Sequence, residues 1–134
     1  MIASIIVLIL CILAGIAKSI QDVISFQYEY SFFNGCVLFW DEWNPVQSWK
    51  NKYKQDEHGR VIRKNGKPVE KFLGSSTVFV CITDPWHFFD KLKYVCIFTV
   101  ALLAGLFSTS WFVVVSGVVL FYTAFHVFYT YIWK

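Results

Sequence analysis

Three long apolar stretches dominate this chain, and the last two are separated only by Ser108-Thr109-Ser110. They run from Ile2 to about Ile20, from about Leu92 to Phe107, and from Trp111 to Trp133. A bilayer's hydrocarbon core of about 30 Å needs about 20 helical residues. The third stretch meets this alone. The second meets it if its helix starts near Asp84 and carries Lys91 and Lys93 at a headgroup end, since lysine stems can lie along apolar surface while their ammonium groups reach water. Backbone amides in lipid must pair within their own segment, so such stretches are helical. The expected fold is therefore an all-α membrane fold. It has three transmembrane helices, an interfacial helix on the cytoplasmic side and a small β-hairpin loop. A single membrane domain then comprises a helix over about 2–20, a cytoplasmic and interfacial segment over about 21–83, and a transmembrane hairpin of about 84–107 and 111–133.

Charge sets the threading. Hydrophobic residues make up 57% of the chain and charged residues 16%, unlike an ordinary soluble domain. Beyond Lys93 the only basic residue is Lys134, and no acid follows Asp90. A basic middle segment between the first two helices favours the cytoplasm, which puts the amino terminus outside and Lys134 inside. A cleaved signal sequence is the rival reading of the first stretch, with Gly15-Ile16-Ala17 as the cleavage pattern. No basic residue precedes Lys18, and a retained helix is expected. Cys11 and Cys96 fall in spans, while Cys36 and Cys81 fall in the middle segment, where a cytoplasmic location keeps them as thiols. No C-x-x-C pair points to zinc or redox chemistry.

Within the middle segment, Asn44-Pro45 and Asp84-Pro85 each place a capping residue before a proline, which predicts a helix start at each. The helix over Pro45–Lys54 would carry Val46, Trp49 and Tyr53 on one face, with Lys50 and Lys52 flanking it. That pattern suits headgroup contact through Trp49, Tyr53, Lys50 and Lys52. Phe39, Trp40 and Trp43 either extend this belt or form a small core between loop and bundle. Asn65-Gly66 between short alternating runs predicts a hairpin, with Pro68 on an edge strand. The short run Val78–Ile82 reads as a buried strand or an apolar turn under the bundle. The charges between Tyr53 and Lys71 mix both signs and carry no nucleic-acid motif.

Few residues invite chemistry. Asp84 and His87 share a helix face and could act as acid and base, or supply half a metal site; equally, Asp84 is a good N-cap. Lys18, Asp22 and Ser25 line one face of the first helix. Lys18 and Asp22 either form an ion pair, or Asp22 joins Asp84 and His87 at a pocket. His126 falls within the third stretch, with Ser116, Thr123 and Thr130 on the same face. An ionisable group at that depth is either functional or bonded to a neighbouring helix, for instance at Thr99. No motif calls for a cofactor or a resident metal.

Ala17-Lys18…Asp22, Ser48-Trp49-Lys50-Asn51-Lys52-Tyr53, Gly74-Ser75-Ser76-Thr77-Val78-Phe79-Val80 and Thr83-Asp84-Pro85-Trp86-His87 together resemble a group of small bacterial integral membrane proteins with no established activity. The resemblance spans about the first two-thirds of the chain. It implies a multi-pass protein of the bacterial inner membrane and draws attention to Trp49, Ser76, Thr77, Asp84 and His87. Three functions are consistent with this. The leading one is a non-enzymatic protein that binds a membrane partner or assembles with itself as a homo-oligomer, in contact with membrane lipids. The others are a lipid-headgroup enzyme using Asp84 and His87, with Lys18 or Lys50 on phosphate, and a holin-like pore lined by Ser116, Thr123, His126 and Thr130.

Overall fold

A computed structural model describes residues 2–36, 39–40, 42–107 and 110–133. Ser108, Thr109 and Lys134, which bear on the expected threading, lie outside the described residues. The chain is mostly helical. Helix α1 spans Ile2–Phe26, a one-turn α2 spans Val80–Thr83, α3 spans Pro85–Leu106, and α4 spans Trp111–Val127 before a π-helical turn over Phe128–Ile132.

Helix α1 is the centre of the molecule. It packs against α3 and α4, whereas α3 and α4 barely touch one another. Its buried residues accordingly fall on two faces, including Val7, Ala14, Gly15, Ala17, Ile20, Val23 and Ile24. The contacts fix direction. Gln21 reaches Asp90 and Lys93, while Ser25, further along α1, meets the earlier Trp86, so α3 runs antiparallel to α1. Gly15 lies against Phe121 and Ala124, and Gln27 bonds Tyr129, so α4 runs parallel to α1. Small residues make the approach to α4 close: a Cβ on Gly15 would strike the Phe121 carbonyl, and one on Gly117 would meet Cys11 Sγ at 2.7 Å.

Helix α1 continues well past its expected end at Ile20. Its polar residues there find partners within the helix. Lys18 pairs with Asp22, Ser19 Oγ donates to Ile16 O at 2.7 Å and Ser25 Oγ donates to Gln21 O at 2.8 Å. The same two serines accept indole N–H groups from the neighbouring helices. Trp133 donates to Ser19 and Trp86 to Ser25, both at 2.9 Å.

Only two described helices, Ile2–Phe26 and Trp111–Ile132, are long and apolar enough to cross a membrane, where the sequence predicts three. The difference lies in α3, whose first half holds Asp90, Lys91 and Lys93. Its uncharged part from Tyr94 to Leu106 covers about 20 Å.

The segment between α1 and α3 folds as a cap over the end of α1. The expected helix over Pro45–Lys54 is a turn followed by a 3-10 helix, Ser48–Lys52. Asn44 does cap, accepting Val46 N at 2.9 Å. Continuation fails because Tyr53 pairs with Glu70 and Gln55 with Val61, which draws the chain into extended structure. The expected hairpin is present: β1 (Arg63–Lys64) pairs antiparallel with β2 (Lys67–Pro68), and Asn65 and Gly66 turn between them at φ of 53° and 77°. Val78–Ile82 is neither strand nor buried. Val78 and Phe79 are in a turn and Val80–Ile82 begin α2, with Val78 76% and Ile82 55% exposed.

Candidate functional site at the cap junction

Three stretches far apart in sequence converge where α3 begins. Asp84 caps α3, accepting the His87 N–H at 3.3 Å. Its other oxygen lies 3.4 Å from Lys52 Nζ and 3.5 Å from Ser48 Oγ. The Asp84 side chain is 5% exposed and that of Lys52 15%, so the pair is largely withdrawn from water. Lys52 is held from behind, since its carbonyl accepts from Ser75 Oγ at 2.6 Å and from Lys71 N at 3.0 Å. Thr83 Oγ1 donates to Ser75 O at 3.0 Å and closes the ring of contacts.

The Gly74–Thr77 turn is organised by Glu70. Its carboxylate accepts Gly74 N at 2.9 Å, Ser76 N at 3.2 Å and the Ser76 hydroxyl. The Ser76 hydroxyl, with the Gly74 amide, holds the Glu70 carboxyl below the usual carboxylate range. Gly74 itself, at φ 78°, takes the left-handed conformation that the turn requires.

The candidates separate into groups. Asp84 and His87 do meet: His87 Nδ1 lies 3.3 Å from Asp84 Oδ1, although it makes no hydrogen bond there. Asp22 pairs with Lys18, whose ammonium stands 6.0 Å from the centre of the Phe125 ring. Lys52 turns inward to Asp84, unlike the outward lysine expected for headgroups, because Tyr53 joins the extended pairing and rotates it toward α3. Lys50 bonds Gln47 Oε1 at 2.6 Å, and Trp49 and Tyr53 meet edge to face at 6.0 Å with Trp49 40% exposed. No three His, Cys, Asp or Glu side chains among the described residues are grouped to hold a metal.

The helical register moves His126. Lys18 lies over Phe125, while Gln21 of the next turn joins Asp90 and Lys93. Lys18, Asp22, Asp90, Lys91 and Lys93 thus form one charged layer across α1 and α3, level with Phe125 and His126 of α4. The runs from Ile2 to Ala17, Tyr94 to Phe107 and Trp111 to Phe125 carry no charge and cover roughly 24, 21 and 22 Å. His126 is exposed, with its ring 6.2 Å from Tyr131. Thr123 is exposed as well, and Ser116 and Thr130 are partly so. Thr99 bonds its own helix at Val95 O, not His126.

Beside the Asp84 cluster is an aromatic cavity of about 490 Å³. Phe33 stacks on Trp43 at 4.8 Å, Trp40 meets Trp43 edge-on at 5.0 Å, and Trp40 faces Phe88 at 5.4 Å. Trp40, Trp43 and Phe89 pack on Ile20, Val23 and Ile24 of α1, so these aromatics form a core joining cap to bundle. Sequence reasoning missed Ser48, Glu70, Ser75 and Thr83. No protein-family model, curated protein or solved structure matches this chain.

Proposed function

We propose that this chain is a three-span protein of the bacterial inner membrane, with its amino terminus outside and its cap in the cytoplasm. It acts without catalysis, by holding a membrane partner at the cap. Helix α3, 22 residues long, counts as a span on this reading because it packs antiparallel to α1, and its charges lie in one layer near the cap, where lysines can reach headgroups. The antiparallel α3 and parallel α4 fit three successive crossings. The basic middle segment favours the cytoplasmic side for the cap.

One observation carries the non-catalytic reading: the acid and base candidates hold the fold. Asp84 caps α3 and pairs with Lys52, Asp22 pairs with Lys18, and Asp90 binds Lys93 and Gln21. The Asp84 carboxylate is already taken up by His87 N, Lys52 and Ser48. What the site leaves unfilled is apolar and aromatic. A second reading, the lipid-headgroup enzyme, is favoured by two buried polar atoms without hydrogen-bond partners, His87 Nδ1 and Asn51 Oδ1.

Purification in mild detergent tests the first reading, with oligomeric state and copurifying molecules identified by native mass spectrometry. The expected result is a bound membrane component retained by a folded His87→Ala variant. Headgroup turnover that disappears in His87→Ala would establish the enzyme instead. Stepwise conductance in planar bilayers would establish the pore.

A further inference from the structure

We infer that one face of the extended structure in the cap is a site for phosphate groups; this goes beyond the partner-binding reading and does not depend on it. In sequence, the charges between Tyr53 and Lys71 mix both signs. The fold sorts them. Three backbone hydrogen bonds close a triangle: Lys54 N donates to Val69 O at 2.9 Å, Ile62 N to Lys54 O at 2.9 Å, and Val69 N to Ile62 O at 3.0 Å. Three antiparallel arms radiate from it, in which Tyr53 is opposite Glu70, Gln55 opposite Val61, and Arg63 opposite Pro68.

Alternation fixes the faces, because successive residues of extended chain point to opposite sides. Tyr53, Arg63 and Glu70 share one face. Lys54, Lys64, Lys67 and Lys71 share the other, around Ile62 and Val69. These four lysines are all exposed. The acids of the segment are engaged elsewhere: Glu70, on the opposite face, holds the Gly74–Thr77 turn, and Asp56 pairs with Arg60 at 2.9 Å. Lys64 and Lys67 are direct cross-strand partners, and like charges so placed repel. The face thus concentrates positive charge that an anion offsets. A cavity of about 480 Å³, lined by Tyr53, Lys54, Gln55, Ile62 and Lys71, opens beside it.

Residue type selects the anion. Carboxylates suit the planar fork of arginine. Here Arg60 is held by Asp56, and Arg63 lies on the opposite face. A lysine ammonium is a compact charge with three rotatable donors. Several of them together match a phosphate monoester or diphosphate, whose terminal group carries about two charges and three acceptor oxygens. Soluble phosphates and the headgroup of phosphatidic acid offer the same group.

The test places the full chain, carrying isotope-labelled lysine, in phosphatidylcholine nanodiscs and reads the lysine amide signals by NMR. One arm adds inorganic pyrophosphate; the other replaces part of the lipid with phosphatidic acid. The expected result is saturable shifts of Lys54, Lys64 and Lys67 in at least one arm. Shifts with pyrophosphate assign a soluble ligand, and shifts with phosphatidic acid alone assign the headgroup. Lys67→Gln should weaken binding about fivefold, read at Lys54 and Lys64. Arg63→Gln removes the same charge from the opposite face of the same hairpin and should leave binding nearly unchanged. Equal weakening by the two variants would show attraction by net charge alone and overturn the site. Equal shifts with a polyglutamate peptide would assign the face to carboxylates, against the proposal. No saturable shift in either arm would leave the lysines as a solvated edge and overturn the inference, with the threading and partner readings untouched.

Discussion

The apolar half and the cap junction are held together by different means. In the apolar half, α1 meets α4 through Cys11, Gly15, Gly117 and Ala124, and little of α4 is buried. At the junction, a carboxylate–lysine pair, two serine–tryptophan hydrogen bonds and a cluster of stacked rings converge within a few turns. On the proposed membrane reading, the difference follows from the surroundings. In lipid the hydrophobic effect gives helices no reason to associate, so contact relies on close packing of small residues. At a water-facing junction, apolar burial contributes at full strength and buried polar groups must be paired. The junction should therefore govern stability, and the helix contacts should tolerate less change in shape than in chemistry.

The largest effect is expected at Asp84. Asp84→Ala removes a cap and leaves Lys52 buried without its partner, a loss of about 3–5 kcal/mol for a buried pair. Asp84→Asn retains the cap and should fall between Ala and wild type. Adding Lys52→Met to Asp84→Asn should recover part of the loss, since replacing both charges avoids the unpaired one. Thermal unfolding of wild type, Asp84→Asn, Lys52→Met and the double variant in detergent forms a double-mutant cycle. Additive losses would remove the ion pair from the account.

Next is the helix contact. Gly15→Leu forces α1 from the Phe121 carbonyl and should cost about 1–3 kcal/mol, in the manner of overpacking. Gly105→Leu is the matched control, because a Cβ there meets nothing within 4 Å. If both substitutions behave alike, close packing against α4 is not what joins the helices.

Much of this contrast was legible in the sequence, and the rest was hidden for identifiable reasons. The hairpin followed from Asn65-Gly66, the α3 cap from Asp84-Pro85, and the Lys18–Asp22 pair from helical spacing, all of them local signals. The inward turn of Lys52 was not legible, because it depends on Tyr53 pairing with Glu70 across a hairpin. The exposure of His126 and its alignment with Lys18 and Asp90 were not legible either, because they depend on register against two other helices, which hydropathy along one helix does not report. The exposed Val78–Ile82 run was read as buried because length and composition do not say which side a turn faces.

A smaller effect is expected from acid. Glu70 has a lowered folded-state pKa, with the Ser76 hydroxyl as chief cause. Its contribution to stability is full above its ordinary value near 4.5 and is lost as pH falls through the lowered folded value. Wild type should thus lose stability on acidification through that window, and Glu70→Gln should lose less. Equal slopes in the two unfolding series would show that the Gly74–Thr77 turn does not depend on the carboxylate. The smallest effect is expected at His126. As an exposed residue level with the charged layer, its change to Ala should alter stability by no more than about 0.5 kcal/mol. A large loss would return it to a buried interface with another chain.

The three-span reading depends on α3, the helix whose charges set it apart from the other two. Single cysteines at Ser110 and at Leu73, in a background with the four native cysteines replaced, would be probed in intact cells with a membrane-impermeant thiol reagent. Leu73 is 91% exposed in the cap, so its labelling is limited only by the membrane. If α3 crosses, Ser110 labels from outside and Leu73 labels only after permeabilisation. If both positions label from the same side, α3 does not cross and the account is wrong.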